Sequence, residues 1–130
     1  MSVRSIYTGR IVELRLEDVT LPNGNEVTLE AVHHPGAAAV VAVDGSDVVL
    51  IRQWRHAAGG YIWEVPAGTL ARGEAPDVCA RRELTEETGL VAADWTALGS
   101  ILTTPGFCDE RIHLFLARGL TVATQQLDDD

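Results

Sequence analysis

Apolar and polar residues alternate from Ile11 to Glu17, with Val12, Leu14 and Leu16 on one side and Glu13, Arg15 and Glu17 on the other. That period of two predicts a half-buried strand. Pro22-Asn23-Gly24-Asn25 reads as a turn, and residues 26–32 as the returning strand. After Pro35-Gly36, two nearly continuous apolar runs, 37–43 and 48–52, flank Asp44-Gly45-Ser46-Asp47. They predict a hairpin buried on both faces. Gly59-Gly60 precedes a short strand over 61–65, closed by Pro66-Ala67-Gly68. Pro76 suits a first helical turn and Gly89 the position just past a last one, so the spacing predicts a helix over 76–88. Two more strands, 95–102 and 111–117, enclose a loop at 103–110. A mixed sheet system with a single clear helix is an α+β outline.

Length and charge narrow the function classes. The 130 residues suit one domain, and an apolar share of 46% is enough for a real core. The net charge of −9 argues against a nucleic-acid backbone or an anionic membrane as partner. If the substrate is itself an anion, something positive has to mediate, and a divalent cation is the simplest candidate. Cys79 and Cys108 have no disulfide-scaffold context and suit a reducing compartment. The residues from Met1 to Tyr7 contain no signal-peptide apolar core, and the run 37–43 is too short to span a bilayer. The expectation is a soluble cytoplasmic protein.

The predicted helix carries Arg82, Glu83, Glu86 and Glu87. At 100° per residue, Glu83 and Glu87 lie one turn apart on one face, with Glu86 beside them, and Ala80 and Leu84 form an adjacent apolar stripe. Like charges at this spacing cost roughly 0.2–0.5 kcal/mol per pair on an exposed helix. A solvated acidic face is the ordinary explanation of such a helix taken alone. The flanks change that. From Gly68 the chain runs Gly, five residues, Glu74, seven residues, Arg82-Glu83-Leu84, one residue, Glu86-Glu87, one residue, Gly89-Leu90. At average residue usage, a chance match to so many fixed positions is roughly one in a billion.

This segment, residues 68–90, resembles the Nudix box at every fixed position, and the chain is identified by it as a member of the Nudix hydrolases. The resemblance implies an α/β/α sandwich with a mixed sheet and N-terminal antiparallel strands. It implies hydrolysis of a pyrophosphate linkage with magnesium, for which manganese can substitute. Magnesium takes oxygen ligands, and carboxylates one helical turn apart can share or bridge ions. By resemblance the ligands are the Ala67 carbonyl, Glu83, Glu87 and, more variably, Glu86, with Arg82 holding the cluster by pairing with Glu74 or Glu86. Such ions neutralise pyrophosphate oxygens and activate water.

Three further segments resemble the ADP-ribose pyrophosphatase branch. Pro105 lies fifteen residues past Leu90, within Thr104-Pro105-Gly106-Phe107-Cys108-Asp109-Glu110. Arg52-Gln53-Trp54-Arg55 and Trp63-Glu64-Val65-Pro66-Ala67-Gly68 are the others. Carried over, Arg55 contacts phosphate or ribose, and Gln53 and Glu64 line the nucleoside side. Pro105, Gly106 and Phe107 shape a terminal-ribose pocket, and Glu110 sits near the metals as a further ligand. Leu29 stands before Glu30 where relatives often have arginine, a departure on the adenine side.

The reading so reached is a single domain over 1–130, with a Nudix core over 35–130 and strands over 1–34 that make homodimer contacts. Its substrate is a small nucleoside diphosphate sugar, ADP-ribose before others, cleaved to AMP and ribose 5-phosphate. Another Nudix substrate class, dinucleotides or nucleoside triphosphates, stays open, as does a non-catalytic nucleotide-sugar-binding domain. Non-catalytic domains commonly lose box glutamates, and none is lost here. Relatives continue past an acidic segment into a closing helix and a glutamate proposed as general base. A protein ending at Asp130 would lack that helix and rely on the box and Glu110. His33-His34 reads as a pair near a turn, without metal-ligand spacing. His56 and His113 read as structural or solvated, and Trp54, Tyr61 and Trp63 as core or pocket walls.

Overall fold

The computed structural model describes residues 2–124. Strands β1 (Val3–Thr8), β2 (Glu13–Thr20) and β3 (Glu26–His33) form an antiparallel sheet in chain order. Strand β1, which has no periodic apolar pattern, is exposed along its whole length and is held to β2 by its backbone, with a register shift between Ser5 and Tyr7. In β2, Leu14 and Leu16 are half-buried as the alternation predicts, but so are Glu13 and Arg15. Those two pair at 2.6 Å and cover the polar face themselves.

The larger sheet is built on β4 (Ala37–Asp44) and β10 (Arg111–Val122), which run parallel from Ala37↔Ile112 to Ala42↔Ala117. Strand β9 (Leu90–Leu102) pairs antiparallel with β10, and β8 (Ala67–Thr69) and the short β5 (Asp47–Val48) flank β4 on its other edge. Helix α1 (Pro76–Thr88) has the predicted bounds. Pro76 fixes its first turn, and Gly89, in the left-handed region at φ 73°, ends it with an N–H bond to the Thr85 carbonyl. The chain enters β9 at once, five residues before the expected strand.

Alternation along β4 sends Ala38, Val40 and Ala42 to the helix side, where they meet Phe115 and Ala117 of β10 and Cys79, Ala80 and Leu84 of α1. Four of the five strand positions facing the helix on β4 and β10 are alanine or valine, so the helix backbone approaches closely. Leu84 is fully buried, a contribution of roughly 2 kcal/mol from transfer alone. This seam fixes the rotation of α1: with Ala80 and Leu84 turned inward, Glu83 and Glu87 must lie along the seam's edge.

The second apolar run departs from the expected buried hairpin. Val48 and Leu50 are exposed, and the run divides between β5 and β6 (Ile51–Arg55), which leaves β4 to pair with β7 (Gly60–Glu64) in a separate two-stranded ribbon. The Val49 N–H bonds the Ala42 carbonyl, after which the chain turns off the β4 edge because β8 occupies the rest of it. Trp54, Tyr61 and Trp63 are 53%, 58% and 66% exposed, so they are neither core nor enclosed pocket walls. They share the ribbon's outer face with Arg52, whose guanidinium lies 4.6 Å from the Tyr61 ring centre. Among the described residues α1 is the one α-helix, and it covers one face of the larger sheet.

Candidate active site

Arg82 is the centre of the carboxylate cluster. Its Nε and Nη2 donate to both oxygens of Glu74 at 2.9 Å, a two-pronged grip that spans the loop before the helix. Its Nη1 donates to Glu83 at 2.8 Å and to Glu86 at 3.1 Å. The expected pairing with Glu74 or Glu86 is therefore made with both. Glu74 also accepts the Ala71 N–H at 3.0 Å, which ties the loop to the helix. Arg82 first, and then that N–H, hold the Glu74 carboxyl down at about 2, and the glutamates raise Arg82 further above its already high value.

Glu83 lies against Gly68. A Cβ on Gly68 would overlap the Cδ and Oε1 of Glu83, so the first glycine of the 68–90 segment is a seat for a carboxylate. Cys79, fully buried, sits beneath, with Sγ 3.5 Å from the Gly68 carbonyl oxygen, and burial pushes its thiol up to about 11. It packs the helix on β8 and is not a nucleophile.

Glu87 is the strained member. Its Oε2 is buried without a hydrogen-bond partner. Burial first, then the facing Glu83 carboxyl, push it up to about 7, against the opposing pull of the Ala67 N–H and the nearby Arg55. Two carboxyls pressed together, one with an orphaned oxygen, beside a glycine cradle and a backbone turn, suit a divalent cation: an ion would take the place of the proton they share. Among the described residues no three acidic, histidine or cysteine side chains already form a closed ligand set. Arg82 engages Glu83 instead, and Glu86, 59% exposed, points outward.

The other predicted residues fall in two places. Gln53, Arg55 and Glu64 share the inner face of the β6–β7 ribbon, by alternation opposite Trp54 and Trp63. Arg55 runs back along that face to Glu64, with Nε at 3.0 and 3.2 Å from its two oxygens, and Gln53 Oε1 is buried without a partner. The Arg55 charge is close enough to Glu87 to oppose, weakly, the rise in its pKa. Pro105, Gly106 and Phe107 line a concavity of about 340 Å³ with Leu29 and Glu30 of β3. The loop is docked there by the Phe107 carbonyl accepting the Val32 N–H at 2.7 Å and the Asp109 N–H donating to the Val32 carbonyl at 3.1 Å. Glu110 accepts the Thr103 hydroxyl at 2.9 Å and lies 3.3 Å from His34 Nε2. A concavity of about 590 Å³ on the N-terminal sheet has its Asp18 carboxylate satisfied by Ser2 and Thr28.

His33 and His34 hold the Pro105 loop through Asp109, a pairing across some 75 residues that the sequence does not signal.

The NUDIX domain family profile matches residues 32–130. The chain is 44% identical over 128 residues to an ADP-ribose pyrophosphatase of Bacillus subtilis (strain 168), covering 96% of this chain and 69% of that one. It is 45% identical over 122 residues to a methanol dehydrogenase activator of Bacillus methanolicus, covering 93% and 66%. It is 44% identical over 122 residues to an ADP-ribose pyrophosphatase of Mycobacterium tuberculosis, covering 92% and 59%. A crystal structure of an ADP compounds hydrolase superposes over 100% of this chain and 72% of its own with a TM-score of 0.81 at 21% identity, which is likeness of fold.

Two measurements probe this geometry. Gly68→Ala displaces Glu83 and should weaken divalent-cation binding at least about tenfold by calorimetry while leaving the melting temperature close to that of the parent. Unchanged affinity would remove Gly68 from the site. Because the Glu87 pKa is raised from 4.5 to about 7, its contribution to cation-free stability is present below about pH 4.5 and is lost as pH rises through 7. Without divalent cations, the melting temperature should therefore fall more steeply from pH 5 to pH 8 in the parent than in Glu87→Gln. Equal slopes would contradict this.

Proposed function

Since the chain belongs to the Nudix domain family, as the match to residues 32–130 and the Bacillus subtilis relative establish, we propose that it hydrolyses ADP-ribose to AMP and ribose 5-phosphate. Water adds across the pyrophosphate bridge, one phosphate keeping the bridging oxygen and the other receiving the water oxygen. The observation that carries this reading is the intact carboxylate cluster, with Glu74, Glu83 and Glu86 held on one guanidinium and Glu87 left with an orphaned oxygen. The names of the relatives at 44% identity support the substrate class.

In this reading the family's divalent cation is magnesium, with manganese as substitute, held by Glu83, Glu87, Glu86 and the Ala67 carbonyl. When bound it neutralises the pyrophosphate oxygens, which lets a chain of net charge −9 accept an anion. Arg82 keeps the carboxylates in register. Arg55 contributes positive charge to the phosphates from the facing ribbon, and Glu64 fixes its direction. Gln53 presents its unpartnered oxygen to the nucleoside side. Pro105, Gly106 and Phe107 wall the pocket for the terminal sugar, with Glu110 at its edge.

We also propose a cytoplasmic homodimer that engages neither nucleic acid nor membrane. The free thiols and the acidic surface support this, and no helix of the described residues is long and apolar enough to cross a bilayer. The residues over 1–34 supply the dimer contacts and 35–130 the core. Val3, Ile6 and Tyr7 stand exposed on β1, apolar area of the kind a second copy would cover.

Glu86→Gln and Glu87→Gln should each lower ADP-ribose turnover at least about a hundredfold with the fold retained. Parent-like rates in both would refute the site. Side-by-side hydrolysis of ADP-ribose, GDP-mannose, NADH and 8-oxo-dGTP checks the substrate class, which fails if ADP-ribose is the poorest. Light scattering should give a dimer that Ile6→Glu converts to monomer, and a monomeric parent would end the dimer proposal.

A further inference from the structure

His33 ends β3 and His34 follows it, and their rings have different partners. His33 Nδ1 lies 2.7 Å from Asp109 Oδ2, and its Nε2 lies 3.4 Å from Glu17. The other oxygen of Asp109 accepts the His34 backbone N–H at 2.9 Å. Burial works against the Asp109 charge, but the His34 N–H and the His33 ring outweigh it and hold the carboxyl below its usual range. One carboxylate thus fastens the Pro105 loop to both residues.

The His34 ring points elsewhere. Its Nδ1 accepts the Gly36 N–H at 2.9 Å, so the proton of the neutral ring is on Nε2. That nitrogen lies 3.3 Å from Glu110 Oε2, while the other Glu110 oxygen accepts the Thr103 hydroxyl at 2.9 Å. The Gly36 carbonyl in turn accepts the N–H of Leu70, inside the loop between Gly68 and Glu74. Gly36 is at φ 98°, and a Cβ there would come within 3.2 Å of Leu70 Cδ1, so the joint is tight. A line of polar contacts runs from Glu110 through His34 and Gly36 to the box. The turn alone needs only the Nδ1 acceptor, which an asparagine can imitate. The Nε2 end, 3.3 Å from a carboxylate whose side chain is 26% exposed while that of His34 is 11% exposed, is surplus to that need.

We propose that His34 is a positioning residue for Glu110. It holds the Glu110 carboxylate at the edge of the substrate pocket and, through Gly36, keeps the Pro105 loop in step with the box. This rests on the hydrolase reading above. His34→Asn keeps the acceptor for Gly36 but falls short of Glu110, whereas His34→Gln supplies an amide donor at about the reach of Nε2.

The test compares the parent, His34→Asn, His34→Gln, Glu110→Gln and the double variant His34→Asn/Glu110→Gln, by ADP-ribose kinetics, melting temperature and Mn2+ titration. His34→Asn should melt and bind Mn2+ like the parent yet lose at least about tenfold in kcat, with KM changed less. His34→Gln should recover part of the loss, and the double variant should be no slower than Glu110→Gln alone. Parent-like kcat in His34→Asn or in Glu110→Gln overturns the proposal, as does an additive loss in the double variant. An inactive parent overturns the hydrolase reading, and the proposal with it.

Discussion

One guanidinium holds together a group of charges that would otherwise repel. Glu74, Glu83 and Glu86 all reach Arg82, and the grip on Glu74 uses both of its oxygens. Remove that cation and the helix carries unneutralised carboxylates at adjacent turns, a pattern that weakens a helix and splays its side chains. The loop from Gly68 to Glu74 would also lose its attachment to α1, because Glu74 is the residue that closes it. Arg82 acts at two levels, as the counter-charge that makes an acidic helix tolerable and as the clamp that fixes where its carboxylates point.

The seam beneath explains why the cluster is presented at all. Small residues on β4 and β10 let α1 settle close to the sheet, and Ala80, Leu84 and Cys79 leave it no freedom to roll. Glu87 is consequently carried to a half-buried position where its charge is poorly solvated, and Gly68 makes room for Glu83. The local conflict is the kind that packed proteins tolerate where a ligand is expected to relieve it.

The helix was legible to the residue because local signals, Pro76 and Gly89, set both ends. The carboxylate positions followed from its period, and β4 and β10 from their apolar runs. What could not be read depended on pairing at a distance. Strand β1 has no buried face to imprint a pattern, and Val48 to Arg52 was misjudged because an apolar run does not say which edge is free. Trp54, Tyr61 and Trp63 looked like core by composition, yet they lie on the outside of a two-stranded ribbon. The pairing of Asp109 with His34 leaves no local signal because the two are 75 residues apart in the chain.

The β6–β7 ribbon divides its residues strictly by parity: Gln53, Arg55 and Glu64 on one side, Arg52, Trp54, Tyr61 and Trp63 on the other. A single-residue insertion or deletion within one strand would turn over that strand's residues beyond it, exchanging its inner and outer side chains. Length changes in this ribbon are therefore confined to the connection at 56–59. Its two strands can diverge in chemistry one residue at a time, but in length they are frozen together.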